Sequence, residues 1–361
     1  MGGTAASRAL DELLDQLEGA GFDGAIIHKR ENIRYLSAFT GEGMLAVTRG
    51  LRAIVTDFRY VEQAGIQAPG WRTISTTSER GHGATAYTLL RGSVKRLAFE
   101  DDYVSVAHMR KLGQEIPDVE FGPIDRGPEK LREIKTPEEI ASIAKACEIA
   151  CAALESILDE IRPGRTEREI AWTLERAMLE RGAEKPAFET IAASGPNGSL
   201  PHAVPSDRKL EKGDFLTLDF GARHNGYCSD ITRTLAIGGV SPDKRKVYET
   251  VLTAQTTALD AVKPGRLCRE IDSIARDYID AAGYGGMFGH GLGHSLGLLI
   301  HEDPRFSQSA GGATVKVGHV MTVEPGIYRP GLDGVRIEDT VKVTEDGAVR
   351  LTTMSKELIT L

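Results

Sequence analysis

The chain is 361 residues long, enough for about two domains. Its 41% hydrophobic and 27% charged content is that of an ordinary globular protein and excludes disorder for the bulk. A formal net charge of -8 attracts neither phosphate backbones nor anionic lipid, and no apolar stretch nears the ~20 residues of a membrane span, so neither nucleic acid nor a membrane is an expected partner.

Met1 to Ser7 lead into an acidic amphipathic segment at 9–17, with no basic region and apolar run of an export signal. Gly2 follows Met1, but Ala6 stands where a myristoylation signal needs Ser or Thr. The expectation is a cytoplasmic protein. Leu10, Leu13, Leu14 and Leu17 form one apolar helical face ended by Gly19 and Gly21, and strands follow at 24–27, 44–48 and 53–56. A helix at 84–90, a strand at 97–100, a helix at 106–112 and a strand near Val119 complete an α/β region that carries no catalytic constellation. Gly122, Pro123, Gly127 and Pro128 read as a domain boundary.

Thr136, Pro137 and Glu139 then form a strong helix start, with the helix expected to reach Ile161. The run Pro163-Gly164-Arg165-Thr166-Glu167-Arg168-Glu169-Ile170 recurs 101 residues later as Pro264-Gly265-Arg266-Leu267-Cys268-Arg269-Glu270-Ile271, with six of eight positions identical. In both copies a helical segment precedes the Pro-Gly turn and a second helix ends at a glycine, Gly182 or Gly283, so the region reads as a duplicated unit with a site between its halves. Four cysteines, Cys147, Cys151, Cys228 and Cys268, are too scattered for a disulfide framework.

Three clusters carry chemistry. Asn225-Gly226 between two β-type runs marks a two-residue hairpin turn, which sets Asp219 opposite Thr232 and Asp230 opposite Gly221, with both acids on one face. Like charges so placed need a cation. The run Gly289-His290-Gly291-Leu292-Gly293-His294-Ser295-Leu296-Gly297, followed by His301, has the spacing of neither a phosphate loop nor a helical zinc motif. Glu324 and Glu338 each sit in apolar, strand-like surroundings, where a carboxylate is costly without a cation or hydrogen-bond partners. Arg336 falls on the face of Glu338, and a plain buried Arg-Glu pair is the structural alternative for it. Together Asp219, Asp230, His294, Glu324 and Glu338 match the charge of two divalent cations, and so oxygen-rich a set suits Mn²⁺, Co²⁺ or Zn²⁺. Two such ions activating one water would make a hydrolase.

The order of these motifs resembles the pita-bread-fold metallopeptidases, most closely the Xaa-Pro aminopeptidase and Xaa-Pro dipeptidase (prolidase) branch, over nearly the whole chain. The resemblance implies an α/β creatinase-type N-terminal domain at 1–130 and an α+β pita-bread catalytic domain at 131–361, whose internal pseudo-two-fold repeat agrees with the duplicated motif. It implies a dinuclear centre on Asp219, Asp230, His294, Glu324 and Glu338, manganese first with cobalt or zinc possible, and catalytic roles for His202, His290, His301, Glu324 and Arg336. The expected partners are peptides with proline at the second position, and the expected assembly is a homodimer. The expected activity is that of an Xaa-Pro aminopeptidase, with an Xaa-Pro dipeptidase as the alternative. A metal-free creatinase-like hydrolase and a non-catalytic binding protein on the same fold are remoter alternatives; metal analysis separates the first, and the intact ligand set argues against the second.

Overall fold

The structure, a computed structural model, describes residues 3–361. Met1 and Gly2, on which the myristoylation reading rests, lie outside the described residues. The chain separates into two compact units, one through Arg132 and one from Glu133 to Leu361.

The first unit is a six-stranded sheet of order β4-β3-β2-β1-β5-β6: β1 (Gly24–Ile27), β2 (Met44–Thr48), β3 (Leu51–Thr56), β4 (Arg72–Ser75), β5 (Arg96–Phe99) and β6 (Glu120–Pro123). Only β2 runs against the others. Alternation along β1 sends Ala25 and Ile27 to the core beneath α1 (Gly3–Gly19), where Leu10, Leu13, Leu14 and Leu17 are buried. Ile26 faces the opposite core with Ala86 and Leu90 of α4 (His82–Leu90). Helices α2 (Arg30–Ser37), α3 (Val61–Gln67) and α5 (Val106–Glu115) complete the layers. The Gly/Pro stretch at 122–128 is itself structured: Gly122 and Pro123 end β6, and Gly127 and Pro128 open a short helix, α6 (Gly127–Arg132), because proline is tolerated in a first helical turn.

The second unit opens with α7 (Pro137–Ile157), whose Thr136 and Glu139 form a complete capping box; a 3₁₀ turn, Leu158–Glu160, continues it. The duplicated motif keeps the same backbone pairings in both copies. Before α8 (Glu167–Glu180), Gly164 N–H donates to Leu210 O and Leu210 N–H to Arg165 O. Before α10 (Cys268–Ile279), which follows α9 (Pro242–Asp260), Gly265 N–H donates to Val315 O and Val315 N–H to Arg266 O. Gly164 and Gly265 take φ of 91° and 84°, which only glycine adopts freely. Each half has its own core: Leu154, Ile170 and Leu174 pack with Leu216 and Leu218 in the first, and Val251, Ile271 and Ala275 with Met321 and Val323 in the second. Among the described residues no helix is long and apolar enough to cross a membrane, and the four cysteines are buried.

Candidate active site

Two bent β-ribbons position the acids. In the first half, after β7 (Lys185–Pro186) and β8 (Ile191–Ser194), β9 (Phe215–Phe220) and β10 (Ala222–His224) return through β11 (Tyr227–Cys228) and β12 (Ile231–Ala236). The pairing puts Asp219 opposite Thr232, as the turn chemistry requires, and Asn225 and Gly226 take φ of 48° and 74°. The ladder breaks at Gly221, where a Cβ would stand 1.9 Å from Ser229 O. Asp230 lies in the segment across that break.

The second half repeats the device. Its strands are β13 (Gly293–Ser295), β14 (Glu302–Phe306), β15 (Val320–Val323), β16 (Gly326–Arg329), β17 (Asp333–Arg336), β18 (Asp339–Thr344) and β19 (Gly347–Arg350). Val323 pairs with Asp339 and Gly326 with Arg336, and the ribbon is interrupted between them at Glu324-Pro325 and Ile337-Glu338. Glu324 and Glu338 therefore occupy strand junctions and not strand interiors. His294 sits at a bulge where β13 slips its register against β14, a device that re-aims a side chain.

These elements bring the sequence-singled acids together. One carboxylate oxygen from each of Asp219, Asp230 and Glu338 lies within 4.8 Å of the others. Asp219 Oδ1, Asp230 Oδ1 and Glu338 Oε1 are buried without a hydrogen-bond partner among the described residues. Their companion oxygens are partly committed: Arg336 Nη2 donates to Asp219 Oδ2 at 2.6 Å and Thr232 Oγ1 to Glu338 Oε2 at 2.8 Å. His294 Nδ1–H donates to Ser295 O at 3.1 Å, which leaves the Nε2 lone pair free, 3.4 Å from Glu324 Oε1 and 3.6 Å from Asp230 Oδ2. Buried acceptors with no donor are the signature of a cation site, because each is costly alone and satisfied together by one positive charge.

The electrostatics agree. Burial, then Glu338, Asp219 and Glu324, push Asp230 far above the carboxylate range; burial, then Glu324 and Asp219, do the same to Glu338. Burial pushes Glu324 up to about 8 against the pull of Arg336. Without cations the cluster would hold protons at neutral pH, and a divalent ion competes for the same oxygens. Burial, reinforced by His301, lowers His294 to about 3 and keeps its imidazole neutral, as a ligand must be.

A cavity of about 750 Å³ opens above the cluster, lined by His202, His290, His294, His301 and Arg336 together with Asp219, Asp230 and Glu324. Glu338, 1% exposed, does not line it. His202 and His301 are exposed on its wall, and the His301 ring centre lies 4.4 Å from that of His294. Arg336 corrects one expectation: its carboxylate partner is Asp219 and not Glu338, which it reaches only through Thr232, whose Oγ1 accepts from Arg336 Nε at 3.1 Å. Tyr328 was not singled out from the sequence, although it stands four residues after Glu324. Its buried hydroxyl accepts from Arg336 Nη1 at 2.8 Å and donates to His290 Nε2 at 2.7 Å, since His290 Nδ1–H is engaged by Gly291 O.

An acid cluster at the junction of two repeated ribbons, under a histidine-lined cavity, defines a metallohydrolase. Residues 141–345 match the metallopeptidase family M24, and residues 10–134 match the creatinase/prolidase N-terminal domain. The chain belongs to metallopeptidase family M24, and its fold is the expected creatinase-type N-terminal domain followed by a pita-bread catalytic domain. It is similar to a solved Xaa-Pro dipeptidase from Bacillus anthracis, at 41% identity over 99% of this chain and 100% of that one, with a TM-score of 0.95. It is 52% identical over 240 residues to an Xaa-Pro dipeptidase of Pyrococcus furiosus, covering 66% of this chain and 69% of that protein. A solved X-Pro aminopeptidase from Thermotoga maritima is 35% identical over 96% of this chain and 100% of that one, with a TM-score of 0.88.

Proposed function

We propose that the chain is an Xaa-Pro dipeptidase that uses two divalent cations, manganese first with cobalt or zinc as alternatives, held by Asp219, Asp230, His294, Glu324 and Glu338. The observation that carries this reading is the set of three buried, unpartnered carboxylate oxygens beneath a cavity of peptide size. Relatives described as Xaa-Pro dipeptidases favour that activity over the aminopeptidase expected from the sequence. Arg305 supports the same choice: it is a second arginine on the cavity wall, exposed and only loosely paired with Asp303 at 3.6 Å, and can turn to the free carboxylate of a dipeptide's proline.

Asp219, Asp230, His294, Glu324 and Glu338 would hold the divalent cations, which would supply Lewis acidity to the scissile carbonyl and to water. Glu324, at the edge of the cluster and open to the cavity, carries the proton from water to the leaving nitrogen. Arg336, fixed by Asp219 and lining the cavity, brings a positive charge to support negative charge developing on the carbonyl oxygen, and Tyr328 holds the His290 ring in place on the same wall. His202 and His301 bind the peptide from the wall. An Xaa-Pro nitrogen bears no hydrogen, so its surroundings need apolar contact and no acceptor; Phe188, Ile191 and Ile300 supply such a wall.

The test compares kcat/KM for an Xaa-Pro dipeptide and the matching Xaa-Pro-Xaa tripeptide, with Mn²⁺ and with chelator. Preference for the dipeptide by about tenfold or more, abolished by chelator, is the expected result. Preference for the tripeptide restores the aminopeptidase reading, and cleavage of neither refutes both. The same reading carries a homodimer in the cytoplasm, with residues 1–130 and 131–361 as its domains; light scattering and limited proteolysis near residue 130 test the assembly and the division.

A further inference from the structure

Glu167, the first residue of α8, is a fully buried carboxylate, 0% exposed, that lies outside the acid cluster. Every side-chain hydrogen bond it accepts comes from one segment of chain, residues 194–206. Ser194 N–H and Oγ–H donate to Oε1 at 2.6 and 2.8 Å, and Ser206 N–H and Oγ–H donate to Oε2 at 3.0 and 2.6 Å. Asn197 Nδ2 lies 3.1 Å from both oxygens. One carboxylate thus ties the two ends of a loop together. The first turn of a helix is where its charge is best tolerated without a counter-cation, because the helix dipole and free N–H groups favour an anion there.

What the loop carries gives the tie its meaning. Pro201, His202, Ala203, Val204 and Pro205 line the cavity consecutively, and Pro201 O accepts from Arg336 Nη1 at 3.3 Å. The other half of the repeat uses a related device. Asp272 of α10, also 0% exposed, accepts from Leu292 N–H at 2.9 Å and pairs with Arg276, whose Nη1 and Nη2 donate to Phe288 O and His290 O. Each duplicated helix therefore anchors, through one buried acid, a histidine-bearing segment of the cavity wall.

We infer that Glu167 is a positioning residue for substrate binding: by closing the ends of the 194–206 loop it fixes the wall that carries His202. This rests on the peptidase reading for what the wall binds, but not for the tie itself. A glutamine at 167 keeps the size and replaces one accepting oxygen by an NH₂ group, which cannot accept from the N–H and hydroxyl of Ser194 or Ser206.

The experiment compares full-length wild type, Glu167→Gln and the double variant Asn197→Ala/Ser206→Ala, which leaves the helix intact. Backbone hydrogen exchange over 194–206 should rise about tenfold or more in Glu167→Gln, and more modestly in the double variant. KM for the Xaa-Pro dipeptide should rise by about tenfold while kcat changes less and bound manganese is retained. Unchanged exchange in this loop overturns the inference, as does an equal fall of kcat with unchanged KM. Should Glu167→Gln not fold, the double variant is judged by the same criteria. Should the wild type cleave no Xaa-Pro dipeptide, the proposed activity fails while the exchange result still decides whether Glu167 holds the loop.

Discussion

Removing one oxygen atom in Tyr328→Phe tests the chain that joins Arg336 to His290. The hydroxyl is buried, the residue being 7% exposed, and it makes two bonds: it accepts from the Arg336 guanidinium at 2.8 Å and donates to His290 Nε2 at 2.7 Å. A bond to a charged group contributes roughly 1.5–3 kcal/mol and a neutral one roughly 0.5–1.5, so the pair holds about 2–4.5 kcal/mol. If that energy serves the transition state, kcat/KM falls roughly 30- to 2 × 10³-fold, since each 1.36 kcal/mol is about tenfold in rate. Phenylalanine fills the same apolar space beside Arg336 and His290, and the unpartnered carboxylate oxygens of Asp219, Asp230 and Glu338 are untouched, so bound metal should stay at the wild-type level. The assay is steady-state hydrolysis of an Xaa-Pro dipeptide alongside elemental analysis and a melting curve. A rate within about threefold of wild type would refute the assignment, as would a lower Tm with the rate per folded molecule preserved.

Arg336→Met removes the cation that pairs with Asp219 at 2.6 Å. With divalent cations bound to offset the acids, Tm should move little while turnover collapses; a large fall in Tm with activity per folded molecule preserved would mark Arg336 as a structural partner only. His290→Ala and His301→Ala should each lower kcat/KM by about 10²-fold with metal retained, and a normal rate in either would return that histidine to the cavity wall as a bystander. In the first unit, burial, then His108 and His82, lower His28 to about 3, and both its ring nitrogens lack hydrogen-bond partners among the described residues. Its folded value lies below its unfolded value, so the stability it contributes is present above about pH 6.5 and is lost as pH falls toward 3, a loss of a few kcal/mol at most. Melting curves at falling pH should therefore show a shallower decline for His28→Phe than for wild type, and identical slopes would contradict this.

The parts of the site legible in the sequence were those fixed by local chemistry. Asn225-Gly226 dictates a turn with positive φ, the turn dictates the register, and the register puts Asp219 opposite Thr232. The Pro-Gly repeat was visible because both copies need a glycine at φ near 90°. The unreadable parts depend on partners far along the chain. Arg336 and Glu338 are near neighbours in sequence, yet the arginine bonds to Asp219, 117 residues away. Glu167 reads as an ordinary first-turn acid until the loop at 194–206 folds back onto it. In the first unit, α2 and β4 escaped notice because Arg30–Ser37 offers only Ile33 and Leu36 as buried apolar anchors and Arg72–Ser75 is a partly exposed edge strand.

The most direct test of the cation centre is elemental analysis of the purified chain and of Asp230→Asn and Glu338→Gln, dialysed side by side against Mn²⁺, with Xaa-Pro dipeptide hydrolysis measured on the same samples. The wild type should hold two ions per chain and lose activity with chelator, because Asp230 Oδ1 and Glu338 Oε1 are buried acceptors without a partner among the described residues. Each variant should lose bound metal and nearly all activity while its circular dichroism stays that of a folded protein. Full metal occupancy in either variant, or undiminished hydrolysis by metal-free wild type, would contradict the account.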